Sequence, residues 1–290
     1  MRTRYEQLAT RADEWADAQD PAAFSGVAVA GWRSYRAVDG PLQSALLSLY
    51  IFLAVLPALL VMEEYLSDNP RALADHIVRH YGFDETTATL FRGLFNTSPH
   101  RLGSALLAIA GALFFGLGFG RVLQLIHVRS WRLSLPARRS DQVRYAAVLV
   151  GVYGLLLLFI VQVKALIDAP LWLVAALAPG WAVVLCLFFL WASRTLTYGL
   201  VPTRNLVPAA AATAVGLVAL MGLSRVIFQF WINLYARDYG SFGGVMAIYF
   251  WILFSAGVIV GAASLSPALA ARRKLRAARQ APATPSQTAG

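Results

Sequence analysis

Long apolar stretches separated by short polar segments dominate the pattern of this chain. Each is about as long as the ~20 residues that a helix needs to cross a bilayer core about 30 Å thick. Barrel strands, by contrast, alternate apolar and polar residues over roughly 10 positions. The pattern therefore predicts an all-α polytopic membrane protein, a bundle of six transmembrane helices. The predicted spans are Leu42–Met62, Leu102–Gln124, Tyr145–Ile167, Leu171–Thr197, Leu206–Phe230 and Phe242–Leu265.

The composition favours a membrane protein over the alternative of a large soluble helical core. Charged residues make up only 14% of the chain, whereas soluble domains contain about 25%. The spans crowd together, so we expect one transmembrane domain over residues 42–266. A flank over 1–41 precedes it, and a basic, disordered tail over 267–290 follows it. The outer loop over 63–101 is predicted to hold two short amphipathic helices.

The placement of lysine and arginine predicts the orientation. Sixteen of these residues lie in the N-terminal flank, the second and fourth loops and the tail, whereas five lie on the opposite side. Positive residues concentrate in cytoplasmic segments, so we expect both termini in the cytoplasm. Most of the lysines and arginines that give the net charge of +10 flank the spans. This favours anionic lipid headgroups as partners and argues against nucleic acid.

An amphipathic segment precedes the first span. The Asp20-Pro21 pair is typical of a helix start, and apolar residues over 24–35 recur at helical spacing. We interpret this segment as an N-terminal interfacial helix, with its rings in the headgroup layer and Arg33 and Arg36 to the side. A soluble amphipathic helix packed on the loops is the alternative.

Small residues mark faces on two of the predicted spans. In the second span they recur every four residues, which forms a narrow ridge where another helix can approach closely. The last span carries a Gly-x-x-x-Gly pair, for which packing inside the monomer and a homodimer face both remain open. The predicted packing residues are Ala108, Ala112, Gly116, Gly120, Gly257 and Gly261.

No catalytic constellation is evident in the sequence. His76 and His80 share a helix face, but Ile77 stands where a zinc protease motif requires Glu. These histidines are therefore interpreted as surface residues of the outer loop. We expect neither an enzyme nor a bound metal or cofactor.

Ionisable residues inside the spans are the strongest candidates for function, because charges there are costly and usually face the bundle interior, a cavity or a partner. Snorkelling to the nearer interface, structural ion pairing and a polar cavity for an anionic group are the open interpretations. Arg225 is the leading candidate, since Gln229 shares its helix face. The candidate substrate-binding residues are Arg225, Arg121, Arg194, Lys164 and Gln229.

Several motifs resemble the YihY/BrkB family, formerly described as ribonuclease BN-like. The most specific is the block before the final span. The chain departs from the family pattern at Ala54 and at Ala263, where Ser and an acidic residue are usual, and so resembles a diverged member. The matching residues are Tyr239, Gly240, Ser241, Phe242 and Gly243, the run Tyr198–Arg204, Pro208, Phe250-Trp251, Gly261-Ala262, Tyr50 and Pro57.

The resemblance implies six helices in the bacterial inner membrane and transport of envelope material. With the arginines inside the spans, it leads us to expect a transporter or flippase-like carrier for an anionic amphipathic component. A non-transporting scaffold for envelope assembly is the alternative, and an intramembrane lipid enzyme is a third hypothesis. Because glycine permits backbone angles closed to other residues, the block Tyr239–Gly243 is predicted to form a gating turn at the outer mouth.

Cysteine labelling tests the predicted orientation. With Cys186 replaced by serine, Asp84→Cys should react with an impermeant maleimide added to intact cells, because the positive-inside rule places 63–101 outside. Ala283→Cys should react only after the cells are opened. Labelling of Ala283→Cys from outside would contradict the orientation.

Overall fold

The fold is described by a computed structural model that covers residues 10–11, 14–20, 23–66, 75, 78, 85, 88–89, 101–134, 141–165, 171–239 and 241–280. The segments there form seven long helices. The short helices predicted for 63–101 fall largely outside these residues. The helices are α1 Phe24–Ala37, α2 Gly40–Leu66, α3 Arg101–Ser130, α4 Asp141–Ala165, α5 Leu171–Leu196, α6 Thr203–Tyr239 and α7 Ser241–Gln280.

Five of these helices, α3 to α7, are each long and apolar enough to cross a membrane. A sixth span is formed if α1 and the start of α2, which meet at a bend of 65°, are taken as one broken segment. The predicted class, an all-α polytopic membrane protein, is confirmed. The predicted fourth span lies in a single helix from Leu171 to Leu196, which continues through Pro179.

The last helix is longer than the sequence suggested. We predicted a disordered tail from residue 267, but α7 continues through Pro267 to Gln280. Alanine, leucine and arginine dominate this extension, and all three favour helix. A neighbouring helix also packs on it, so the basic composition alone was a poor guide to its structure.

That neighbour is α1, which lies antiparallel to the end of α7. The Arg272 guanidinium carbon is 4.0 Å from the centre of the Phe24 ring. Gly31 leaves space for the Leu265 side chain. Before α1 begins, Asp20 accepts two hydrogen bonds from the guanidinium group of Arg279, one on each carboxylate oxygen, at 3.1 and 3.3 Å. Among the described residues, the amphipathic helix of the sequence therefore packs on another helix.

The six helices α2 to α7 contribute to one buried cluster. In it α7 packs against α2 and α6, while α3 packs against α2 and α4, and α5 packs against α6. The helices α3 and α7 also contact each other, so α2, α3 and α7 form a mutually packed group. The cluster includes Leu47 from α2, Leu123 and Ile126 from α3, Val148 from α4, Leu196 from α5, Ala210 from α6 and Val260 from α7.

One end of the bundle, here named the basic end, is where α2, α4 and α6 begin and α3, α5 and α7 end. The helices α1, α3 and α5 are each followed there by a residue in the left-handed region: Asp39 (φ 55°), Arg132 (φ 50°) and Tyr198 (φ 56°). A left-handed residue after the last helical turn is a common way to satisfy the final carbonyls and reverse the chain. An ion pair of 3.5 Å between Arg129 and Asp39 joins the end of α3 to the start of α2.

The small-residue ridge of α3 faces other helices. A Cβ atom on Gly120 would lie 2.7 Å from Tyr145 Cβ and 2.9 Å from Tyr145 Cα. One on Gly116 would collide with the buried side chain of Leu149. Ala112 is also buried, and its carbonyl accepts a 3.1 Å hydrogen bond from the Tyr153 hydroxyl. The side chain of Ala108 lies outside the described part.

The glycine pair of the last span differs from this ridge. A Cβ atom on Gly257 or Gly261 would meet no atom of the described residues within 4 Å. Among the described residues no close contact is therefore seen at these two positions, and packing inside the monomer stays a prediction. The homodimer alternative stays a prediction.

The predicted turn before the last span is shorter than expected. Ser241, Phe242 and Gly243 belong to the first turn of α7, while Tyr239 ends α6. Serine is favoured at helix starts, which explains why the helix begins within the motif. Gly240 lies outside the described residues, and the gating role of the block stays a prediction.

Close approach of α3 and α4 predicts a specific cost for one added methyl group. Gly120→Ala should lower the stability of the purified protein in detergent by about 1–3 kcal/mol, because the α4 backbone must shift. The measurement is the unfolding free energy in SDS titrations. Gly154→Ala is the matched control, since its Cβ would meet nothing within 4 Å, and it should unfold like the wild type. Equal effects of the two substitutions would contradict the close contact.

Candidate functional site at the basic end

Polar side chains from three helices meet at the basic end, in a group here named the polar junction. Its members are Gln124 and His127 of α3, Arg144 and Tyr145 of α4, and Ser193 with the carbonyls of Thr195 and Leu196 of α5.

Gln124 links all three helices. Its Oε1 accepts a hydrogen bond from the Tyr145 hydroxyl, and its Nε2 donates to the Leu196 carbonyl at 3.1 Å. Leu196 is the last residue of α5, and the final carbonyls of a helix have no intrahelical donor. Gln124 of α3 thus caps the end of α5, and the Tyr145 hydroxyl of α4 holds the side-chain amide of Gln124 in place.

Arg144 strengthens the same end of α5. One Nη donates to the Thr195 carbonyl at 2.9 Å, and the guanidinium carbon lies 3.6 Å from the centre of the Tyr198 ring. A positive charge at a helix C-terminus interacts favourably with the helix dipole, and an aromatic face attracts a cation. The contacts of Arg144 therefore stabilise the turn that follows α5.

His127 and Ser193 form a second bridge between α3 and α5. The Leu123 carbonyl lies 2.9 Å from Nδ1 and can only accept, so Nδ1 carries the proton. In the neutral ring Nε2 then accepts from the Ser193 hydroxyl at 2.8 Å. The side chains of His127 and Ser193 are buried, at 4% and 5% exposure. A serine–histidine pair can act in acyl transfer, but this burial leaves no access for a substrate, so the pair is structural.

The sequence candidates fall into two groups. Arg121 is exposed on α3 within electrostatic reach of the Tyr145 hydroxyl. Arg194 is exposed at the end of α5, and one Nη donates to Thr203 Oγ1 at 2.9 Å. The side chains of Arg225, Lys164 and Gln229 lie outside the described part, so their role in a site stays a prediction.

Sequence reasoning missed several residues of the junction. His127 and Gln124 are three apart on α3, a spacing that puts them on one helix face. That polar pair within an apolar span was the available signal. Arg144 and Tyr145 gave none, because they look like ordinary residues of a membrane interface. Gln162 of α4 is paired with the Trp181 indole and takes no part in the junction.

No group of three or more potential metal ligands occurs among the residues that the structure describes. The groups that meet at the junction are amide, hydroxyl, imidazole and guanidinium groups. This set can donate hydrogen bonds to anions and to carbonyls.

The fold and this junction define the protein as a polytopic helical membrane protein with a polar, arginine-containing end. Residues 32–288 match the profile of the virulence factor BrkB family. The chain belongs to that family, which confirms the resemblance seen in the sequence motifs. Neither the curated proteins nor the solved structures give a significant match.

A double-mutant cycle tests the buried bridge. We expect His127→Leu and Ser193→Ala to destabilise the protein and to show a coupling energy of roughly 0.6–1.7 kcal/mol, the range measured for hydrogen bonds between membrane helices. Unfolding free energies of both single variants and the double variant give this value.

Ser264 provides the control, because it is buried but its hydroxyl donates within its own helix, to the Val260 carbonyl. Ser264→Ala combined with His127→Leu should be additive. Additivity in the Ser193 cycle as well would show that the bridge does not join α3 to α5.

Proposed function

We propose that the protein carries an anionic amphipathic component of the cell envelope, such as a phospholipid, across the bacterial inner membrane. The basic end then faces the cytoplasm, as the distribution of lysine and arginine predicts. Membership of the BrkB family and the apolar helices support an integral membrane protein. The lipid specificity rests on the arginines.

The observation that carries the proposal is the position of Arg121. It lies nine residues before the end of α3 at Ser130, which is about 13 Å along a helix. Its side chain is exposed, and no carboxylate of the described residues pairs with it. An arginine inside a span is costly unless it meets water or a partner. A lipid phosphate that approaches between helices supplies such a partner.

Arg194 adds a second exposed guanidinium near the same end. Its contact with Thr203 uses one of its nitrogens, which leaves other donors for an anion. Guanidinium groups bind phosphate or carboxylate in a bidentate manner that an ammonium group lacks. Both arginines would bind the headgroup while the acyl chains stay in lipid. Lys164, Arg225 and Gln229 remain candidates for later steps of the path, from sequence alone.

The scaffold alternative is favoured by a different observation. The amide, hydroxyl and imidazole groups of the polar junction bond to one another and to the end of α5. Groups that are satisfied within the protein stabilise the bundle and leave few donors for a substrate. On that hypothesis the exposed arginines bind headgroups only to position the protein in its membrane.

Lipid movement in liposomes distinguishes the two functions. Wild-type protein should move a fluorescent anionic phospholipid between leaflets, and Arg121→Gln should slow this at least about tenfold. That factor corresponds to loss of one charged hydrogen bond, worth about 1.5–3 kcal/mol. Arg121→Lys should lose part of the rate, because the charge remains but the fork does not. Arg225→Lys and Arg225→Ala test the sequence candidate in the same assay.

Arg132→Gln is the control, since Arg132 is also exposed but follows the end of α3. It should transport like the wild type. Unfolding midpoints in detergent show that each variant is folded. If wild-type protein moves the lipid no faster than empty liposomes, the carrier function is excluded for that lipid and the scaffold function is favoured.

A further inference from the structure

The N-terminal helix α1 has two distinct faces. Gly26, Val27 and Gly31 are buried against the protein. Phe24, Ala28, Trp32 and Arg36 are four residues apart and form an exposed stripe, here named the α1 stripe. Residues at this spacing lie one above another on a helix. Phe24 is 78% exposed and Trp32 is 60% exposed, so most of the surface of two large rings on this face is left uncovered by the rest of the described chain.

The charges on α1 all have one sign. The helix contains Arg33 and Arg36 and no acidic residue. Arg36 is exposed and forms no ion pair with a described residue. Arg33 is also exposed and pairs with Asp17 at 2.5 Å. The outer face of α1 therefore combines exposed aromatic rings with a net positive charge.

Contacts with α7 fix the direction in which the α1 stripe points. Arg272 is 8% exposed and lies against the Phe24 ring from the protein side. Trp32 stacks on Tyr35 at 5.7 Å between ring centres, which holds the indole in place. Because α2 begins at Gly40, two residues after the cap of α1, the stripe lies next to the start of α2.

These observations indicate the chemistry of a partner that would cover the α1 stripe. Tryptophan and arginine are enriched where a protein meets the membrane–water interface. A basic helix with large apolar side chains binds a bilayer surface through both burial and attraction to anionic lipids. A second copy of the chain fits less well, because pairing two α1 stripes would bring arginines of like charge together.

We propose that the α1 stripe is a docking surface for an anionic phospholipid bilayer. In this arrangement α1 is held between two partners. Its buried face packs on the end of α7, and its exposed face contacts the headgroup layer. The proposal does not depend on transport, since a scaffold would use the same surface.

Spin labelling at paired positions tests the proposal on the whole protein. With Cys186→Ser as background, a nitroxide is attached at Ala28→Cys, within the stripe. The control is Ala30→Cys, which is also exposed but lies on another side of α1. The protein is reconstituted in vesicles of phosphatidylcholine with phosphatidylglycerol. Accessibility to oxygen, which enters lipid, is compared with accessibility to a water-soluble nickel chelate.

The Ala28 label should be more accessible to oxygen than to nickel, and the Ala30 label should show the reverse. In vesicles without phosphatidylglycerol, the preference at Ala28 should weaken. Arg36→Gln in anionic vesicles should reduce the lipid-bound population about fivefold, the effect of one arginine near an anionic surface. An unchanged unfolding midpoint in detergent shows that this exposed substitution leaves the fold intact.

Two outcomes would overturn the proposal. Nickel accessibility at Ala28 equal to that at Ala30 would show that the stripe faces water. Oxygen preference that is the same with and without phosphatidylglycerol, and insensitive to Arg36→Gln, would show a contact with lipid that does not depend on anionic headgroups.

Discussion

Close approach between α3 and its neighbours is the constraint on which the bundle depends. In a bilayer, lipid tails are as apolar as leucine, so helices gain little from hiding apolar side chains against each other. Gly116 and Gly120 let the α4 backbone come near enough for dense packing. The same approach brings the Tyr145 hydroxyl to Gln124, and Gln124 in turn reaches the end of α5. Packing and hydrogen bonding are thus consequences of the same two missing side chains.

The arginines of the basic end have different physical roles, although they count equally in a topology rule. Arg144 and Arg272 lie against the rings of Tyr198 and Phe24, and both connect one helix to another segment. Arg121 is exposed and has no carboxylate partner in the described part. Removing a cation of the first kind damages the fold, whereas removing one of the second kind leaves the fold and changes what the surface attracts.

The sequence predicted the spans well, because length and apolar content decide whether a helix can cross a bilayer. It did not predict the helical extension of α7, since a run of Ala and Arg after Pro267 is read as tail unless its partner is known. The partner α1 is distant in sequence, so no local pattern reveals the contact. The junction was only partly predictable for the same reason. Gln124 lies at the predicted end of the second span, but its role depends on hydrogen bonds to Tyr145 and Leu196 that the sequence does not reveal.

The pairing of α1 with the end of α7 also fixes an order of events during synthesis. Asp20 and Arg279 are 259 positions apart, and a ribosome adds roughly 5–20 residues per second. The first helix is therefore made roughly 13 to 50 seconds before the segment that covers its inner face exists. Every other helix of the bundle is synthesised in that interval. Contact between α1 and the end of α7 is possible only after α7 has been made, so a product truncated before it keeps its first helix uncovered and can be recognised by that exposure.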